Sequence, residues 1–342
     1  MAKAPQRATG ATIYSVADLA GVSIATVSRV LQGSDTVSPA SRQKVLDAVE
    51  QLDYVPVAAA RSLAVRHHEA LGLVLPELSG PYYAELLMGF ESRAAELGHS
   101  VILLLAEGKD DLPKAVRQLA TRVDALAVLG GAAMPPAMAK VLRGKKPVVV
   151  IAGSTGDDIE NVMAESRRSA ELLTLHVLDH GRSRLLFVGD PGAAPDIADR
   201  YAGFVAAHAS RGLDAAEPVR VAYRESSGPE VAEAILAGTL DADALVCAND
   251  ELALSVMARL LDAGLDVPGD LAVVGWDDVM TARYVRPGLT TVRQPVRDLG
   301  SLAAARLHER LDGDPADPDD HVLPTELVFR QSCGCVQPPR HP

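Results

Sequence analysis

The chain has 342 residues, of which 48% are hydrophobic and only 4% aromatic, and its formal net charge is −12. That length exceeds one ordinary domain, and the composition excludes a disordered or fibrous chain in favour of an alanine- and leucine-rich α/β protein. No run of about eighteen apolar residues is present to span a bilayer, and no apolar signal segment precedes the first helix, so a cytoplasmic protein without a membrane partner is expected.

The charge is unevenly spread. Residues 1–68 hold seven Lys/Arg against five Asp/Glu, a net of +2, which leaves −14 for the rest. A mildly cationic head on an acidic body can meet phosphates through one end only. Within that head, Ser15-Val16-Ala17-Asp18 has the form of a capping box, with Val16, Leu19 and Ala20 as a buried face and Gly21 as the stop. Ser23 is expected to cap a second helix, Ile24 to Leu31, with Val27, Val30 and Leu31 inward and Gly33 with Ser34-Asp35 beyond its end. Ser38-Pro39 opens a third helix through about Leu52, with Val45, Leu46, Val49 and Leu52 inward.

Two short helices joined by a tight turn are a DNA-reading unit whose second helix enters the major groove. The outer side of helix 24–31 carries Ile24, Ala25, Ser28 and Arg29. Arg29 can fork to guanine and Ile24 and Ala25 can touch thymine methyls, while Ser23, Thr26 and Ser28 suit phosphates. A three-helix bundle without a ligand has the same spacing, so spacing alone leaves both readings open.

From Ala70 onward short apolar runs alternate with amphipathic helices. Strands are predicted at 71–75, 101–105, 125–129, 148–151, 185–188, 219–223, 244–247 and 271–274. Helices are predicted at about 82–97, 112–121, 136–143, 166–180, 199–211, 229–237 and 250–263. Such alternation implies parallel sheets covered on both faces, and two series imply two similar lobes with a cleft between them.

Cys247 stands alone in an apolar run, and Cys333 and Cys335 form a single C-x-C that lacks further ligands for zinc, so no metal site is expected. There is no G-x-x-x-x-G-K-[ST], no G-x-G-x-x-G and no G-x-S-x-G, which argues against an enzyme and leaves no cofactor expected. His67-His68 reads as a solvated linker pair. A solute-binding protein of a transporter would account for the body, but it would require export and would leave the head unexplained.

The continuous string from Ile13 to Leu31, with Val37-Ser38, Leu52-Asp53-Tyr54-Val55-Pro56 and Ala60-Arg61-Ser62-Leu63, resembles the signature of the lactose-repressor (LacI/GalR) family. The likeness continues through Ala248-Asn249-Asp250-Glu251-Leu252-Ala253-Leu254, Val274-Gly275-Trp276-Asp277-Asp278 and the segment Pro287 to Pro295. It implies a helix-turn-helix domain at 1–56, a hinge at 57–69 and a type I periplasmic-binding-protein-like body at 70–335. The body's lobes would be about 70–162 plus 293–322, and 163–292 plus 323–335. The DNA-contacting positions implied are Ser15, Ser23, Ile24, Ala25, Thr26, Ser28, Arg29, Thr36, Ser38, Ala60 and Leu63. In the family the hinge folds into a helix in the minor groove on operator DNA, and Leu63 matches the leucine that wedges between base steps. A segment that short holds no helix alone in water. Val57 stands where the family has a capping asparagine or serine, and loss of such a cap costs about 1 kcal/mol.

The resemblance places an effector between the lobes at Tyr82, Tyr83, Arg200, Tyr223, Asn249, Asp250, Trp276, Asp277 and Gln294. Aromatic faces there suit a ring-shaped ligand, and Arg and Asp fork to hydroxyls or a carboxylate. Asp250 stands where it could instead cap the following helix. Ala152 replaces an aspartate common in relatives, and Ala164-Glu165 replaces Asp-Asn, so a standard hexose is less firmly implied. The function implied is a sequence-specific transcriptional regulator, a repressor, that binds palindromic double-stranded operator DNA as a homodimer under control of a small polar effector such as a sugar. Control by a partner protein is the alternative. No leucine heptad follows Arg330, so no device for a tetramer is visible.

Overall fold

Thr12, rather than Ser15, starts the first helix, because its hydroxyl accepts from the Ser15 amide while Ser15 Oγ accepts from the Thr12 amide at 2.9 Å. This reciprocal box sets α1 at Ile13–Ala20 and turns Val16, Ala17 and Ala20 inward. Leu19, expected inside, is 48% exposed, because the face that meets the other helices is centred on Ala17 and Ala20. Gly21 closes α1 in the left-handed region at φ 66°. The Ser23 hydroxyl then accepts from the Thr26 amide and starts α2, Ile24–Leu31. Ser38 caps α3, Pro39–Gln51, with Pro39 in its first turn. Val16, Val27, Val30, Val45, Ala48 and Tyr54 close the core of this unit. Leu46 faces solvent, and Ala48 takes the inward place expected of it.

The computed structural model describes residues 11–31, 34, 36–54, 68–130, 146–153, 159–317 and 319–335. The hinge residues Val57, Ala60 and Leu63 and the helix expected at 136–143 lie outside the described residues. The chain divides into two compact units, residues 1–68 and 69–342. No single helix among the described residues is long and apolar enough to cross a membrane.

In the larger unit, β1 (Ala70–Leu75), β2 (Ser100–Leu105), β3 (Ala125–Leu129), β4 (Val148–Ile151), β5 (Glu160–Ala164) and β10 (His321–Leu323) form one parallel sheet. Its strand order is β10-β5-β4-β3-β1-β2. Leu71, Leu73 and Leu75 point to one face, against α4 (Gly80–Glu96) and α10 (Val296–Leu311). Val74, Leu126, Val128 and Val150 point to the other, against α5 (Leu112–Ala120). Both faces are covered, so the strands read as continuous apolar runs. Helices α4 and α10 meet at glycines: a Cβ on Gly89 would lie 1.9 Å from the Arg297 carbonyl, and one on Gly300 2.2 Å from that of Leu86.

Strand β5 was not expected because Glu160 and Asn161 open it with polar residues. The fold satisfies both. The fully buried Glu160 carboxylate accepts from Arg306 on α10 and from His321 on β10 at 2.8 Å, and Asn161 donates to the Gly153 carbonyl at 3.0 Å.

The second parallel sheet contains β6 (Leu185–Val188), β7 (Ala244–Cys247) and β8 (Ala272–Val274), in that order. One face packs on α6 (Arg167–Asp179) and α7 (Pro195–Ser210), and the other on α8 (Gly228–Leu236) and α9 (Asp250–Asp262). The strand expected at 219–223 is reduced to one bridge, Val188 to Val219. Beside β8 in the second lobe, β9 (Thr291–Arg293) pairs antiparallel with β11 (Glu326–Val328), and Val292 joins that lobe's core. The chain thus passes between lobes three times: after β5, after β9 and after β10.

Candidate functional site

On the head, α2 buries Val27 and Val30 and turns its other side outward. Ser23, Ile24, Ala25 and Arg29 are exposed, Ile24 by 41%, and Thr26 and Ser28 are half-buried. Thr36 and Ser38 are exposed beyond it, and Ser15 is half-buried on α1, its hydroxyl tied to Thr12. An exposed isoleucine beside an arginine on a short helix has no role in the core of its own unit. It suits base edges and thymine methyls.

In the body a cleft of about 430 Å³ lies between the sheets, a volume suited to one small molecule. Seven of the nine expected positions line it: Tyr82, Tyr83, Arg200, Tyr223, Asn249, Asp277 and Gln294. Several follow the carboxyl ends of parallel strands, where open α/β sheets bind ligands. Tyr82 and Tyr83 come from the first turn of α4 after β1, with their rings edge to face at 5.6 Å. Burial, reinforced by nearby Asp196 and Asp277, pushes the Tyr82 hydroxyl far above the usual phenol range, so it remains a donor.

Arg200 on α7 is the polar centre of the site. It is 4% exposed, donates to the Ala248 carbonyl at 2.6 Å and to Asp196 at 2.7 Å, and lies over the Trp276 ring at 4.7 Å. Its Nε is buried with no hydrogen-bond partner among the described residues. Asp277 accepts from the Gln294 amide at 2.6 Å, and burial raises its carboxyl well above the ordinary range although Arg200 opposes the shift.

Two expected cleft residues lie elsewhere. Trp276 is 2% exposed beneath Arg200 and belongs to the core of the second lobe. Asp250 is fully buried and accepts from the Val279 amide at 2.9 Å and from the Thr291 hydroxyl at 2.6 Å. It does not cap its helix. That cap is Asn249, which accepts from the Leu252 amide at 3.0 Å and donates to the Tyr223 carbonyl at 2.8 Å. Burial raises the Asp250 carboxyl to about 7.

Glu77, Asp190, Asp196, Arg220, Arg224 and Glu251 also line the cleft and were missed. Asp196 had a visible signal, since it stands four residues before Arg200 on one helix. Asp190 had none, because Arg220, its 2.7 Å partner, is 30 residues away. Ala152 also lines the cleft and presents a methyl group there. Glu165 instead caps α6, accepting from the Arg168 and Ser169 amides.

A helix-turn-helix unit joined to a two-lobed binding-protein body defines a ligand-responsive regulator class. Residues 12–57 match the bacterial regulatory proteins of the lacI family, and residues 174–333 match the periplasmic binding protein-like domain. Over 330 residues the chain is 35% identical to the HTH-type transcriptional regulator GalR of Escherichia coli (strain K12), covering 94% of this chain and 95% of that protein. The Lac repressor dimer bound to operator and the anti-inducer ONPF matches with TM-score 0.84 and 27% identity, over 95% of this chain and 99% of that one. The transcriptional regulator CelR in complex with cellobiose matches with TM-score 0.71 and 28% identity, over 94% and 99% of the two chains. The chain belongs to the lacI family, whose members are DNA-binding transcriptional regulators.

Proposed function

We propose that this protein is a cytoplasmic, homodimeric repressor whose affinity for a palindromic operator is set by a small, hydroxyl-rich ring molecule held in the cleft. The observation that carries the reading is Arg200. Its buried guanidinium has one N–H without a partner among the described residues, in a cleft lined by Tyr82, Tyr83 and Tyr223. A buried donor of this kind seeks an acceptor, which a ligand hydroxyl or carboxylate supplies. Arg29, Ile24 and Ala25 of α2 read bases, and Ser23, Thr26, Ser28, Thr36, Ser38 and Ser15 contact or position the backbone. The hinge residues Ala60 and Leu63 enter the minor groove. The domain division at 56 and 69 and the two lobes follow the family pattern. The cleft binds its ligand without turning it over.

The methyl of Ala152 removes one carboxylate contact, which favours a pentose, a nucleoside or a modified sugar over an unmodified hexose. The complex of CelR with cellobiose supports this class of ligand. The test is a thermal-shift panel of pentoses, hexoses, nucleosides and polyols on the full chain. A ligand at a hundred times its Kd adds about 2.7 kcal/mol to the stability of the unit that binds it. One class of ring ligand should raise the unfolding temperature and change operator binding. No response from any ligand, with operator binding intact, would point instead to control by a partner protein.

A further inference from the structure

The sequence offered Cys333 and Cys335 as a C-x-C without further ligands, and the fold supplies two. His176 lies in the last turn of α6 and His180 caps that helix four residues on, so both imidazoles leave one face. The turn after β11 brings the thiols to them. His176 Nε2 is 3.3 Å from Cys333 Sγ and 3.4 Å from Cys335 Sγ, and His180 Nε2 is 3.3 Å from Cys335 Sγ. The four ligand atoms all lie within 4.8 Å of one another. We infer that His176, His180, Cys333 and Cys335 form a tetrahedral Cys2His2 site for a structural zinc ion.

The spacing agrees with the chemistry. Zinc bonds of about 2.3 Å to sulfur and 2.0–2.1 Å to nitrogen place tetrahedral S and N ligands about 3.5 Å apart, close to the three contacts above. Two thiolates and two imidazoles are the soft and borderline donors that select zinc over magnesium or calcium. Gly334 sits between the cysteines at φ 104°, a backbone form that lets one residue turn both thiols to the same side. The Thr290 hydroxyl donates to Cys333 Sγ at 3.0 Å, an outer-shell contact suited to a thiolate. His176 also lies against Phe329, with ring centroids 4.2 Å apart, which fixes the ring plane. Cys333 is fully buried, His176 and Cys335 are half-buried and His180 is exposed, so an ion can enter from one side. All four positions are filled by protein, which marks a structural rather than a catalytic ion.

The site also has a place in the architecture. Helix α6 begins just after the first crossing between lobes, and the C-G-C turn lies just after the third. The ion therefore ties together the two segments that enter the second lobe by those crossings. Cys247 is separate, buried in β7 with its thiol held protonated by burial.

Full-length protein should be purified in reductant and zinc buffer, dialysed against metal-free buffer and analysed by mass spectrometry. The site predicts about one zinc per chain in the wild type and less than a tenth of that in His180→Ala and Cys335→Ser. His180 is exposed, so its variant should keep the wild-type circular dichroism. Cobalt in place of zinc should give the intense visible bands of a tetrahedral thiolate complex in the wild type, a readout that needs no variant. A chelator should lower the unfolding temperature of the wild type and leave His180→Ala unchanged. The site would be refuted by less than a tenth of a zinc per chain after reconstitution, by full zinc in both variants, or by octahedral cobalt spectra.

Discussion

The proposed DNA-reading face and the proposed effector cleft are built in opposite ways. The base-reading side chains of the first, Ile24, Ala25 and Arg29, lie on one eight-residue helix and follow from a single periodicity. The second is assembled from positions between Pro76 and Gln294, carried by strand ends and helix starts of two lobes. A site on consecutive residues is an address written locally. A site made by topology exists only when both sheets are formed, so its residues carry stability as well as recognition.

That contrast can be broken by experiment, and the largest effect is expected in the cleft. Arg200→Met removes a buried cation from Asp196 and from the Ala248 carbonyl and uncovers Trp276. Breaking a buried pair on one side costs about 3 kcal/mol. Urea unfolding should show that loss in the body, with ligand-induced stabilisation abolished and base preference in operator binding unchanged. A variant of full stability would mean that the site is only a surface groove.

Next is the buried carboxyl of Asp250. Its folded-state value of about 7 lies above the ordinary carboxylate value, so the folded state favours the protonated form. That contribution is complete below about pH 4 and is lost as the pH rises through about 7, a change of roughly 4 kcal/mol in all, of which somewhat under about 3 kcal/mol falls between pH 5 and pH 8. Asp250→Asn keeps one acceptor for the Val279 amide and places a donor toward Thr291. Its stability should therefore fall less than that of the wild type between pH 5 and pH 8, and equal slopes in paired denaturation curves would contradict this.

On the head, Arg29→Ala should cost about 1–3 kcal/mol and relax preference at one base pair per half-site. A uniform loss across sequences would make Arg29 a phosphate contact. The smallest effect is expected at the hinge. Val57→Asn should tighten operator binding by up to about 1 kcal/mol by restoring a helix cap, checked at fixed salt.

Much of this was legible before the fold. The buried strands β3, β4, β6 and β7 were found at their observed limits, because an apolar run bounded by helices has few other readings. The start of α1 was misplaced because Ser15-x-x-Asp18 and Thr12-x-x-Ser15 are both acceptable caps, and only packing chooses between them. Strand β5 was hidden because Glu160 is a buried charge whose partners, Arg306 and His321, lie about half the chain away. The same limit governs the cleft. Tyr82, Arg200 and Asp277 were reached through resemblance, whereas Asp190 and Arg220 pair across 30 residues without any motif. His176 and His180 were visible as an i, i+4 pair, yet nothing local joined them to Cys333 and Cys335.

The central claim is that the cleft controls the head. It is tested most directly by operator affinity at fixed salt, with and without a saturating amount of the ligand found in the thermal screen. Wild type and Asp277→Ala should be compared. The account predicts a change of about 5–150-fold in the wild type, corresponding to 1–3 kcal/mol of coupling, and no change in Asp277→Ala. Unchanged operator affinity in wild-type protein whose cleft is shown to be saturated would contradict it.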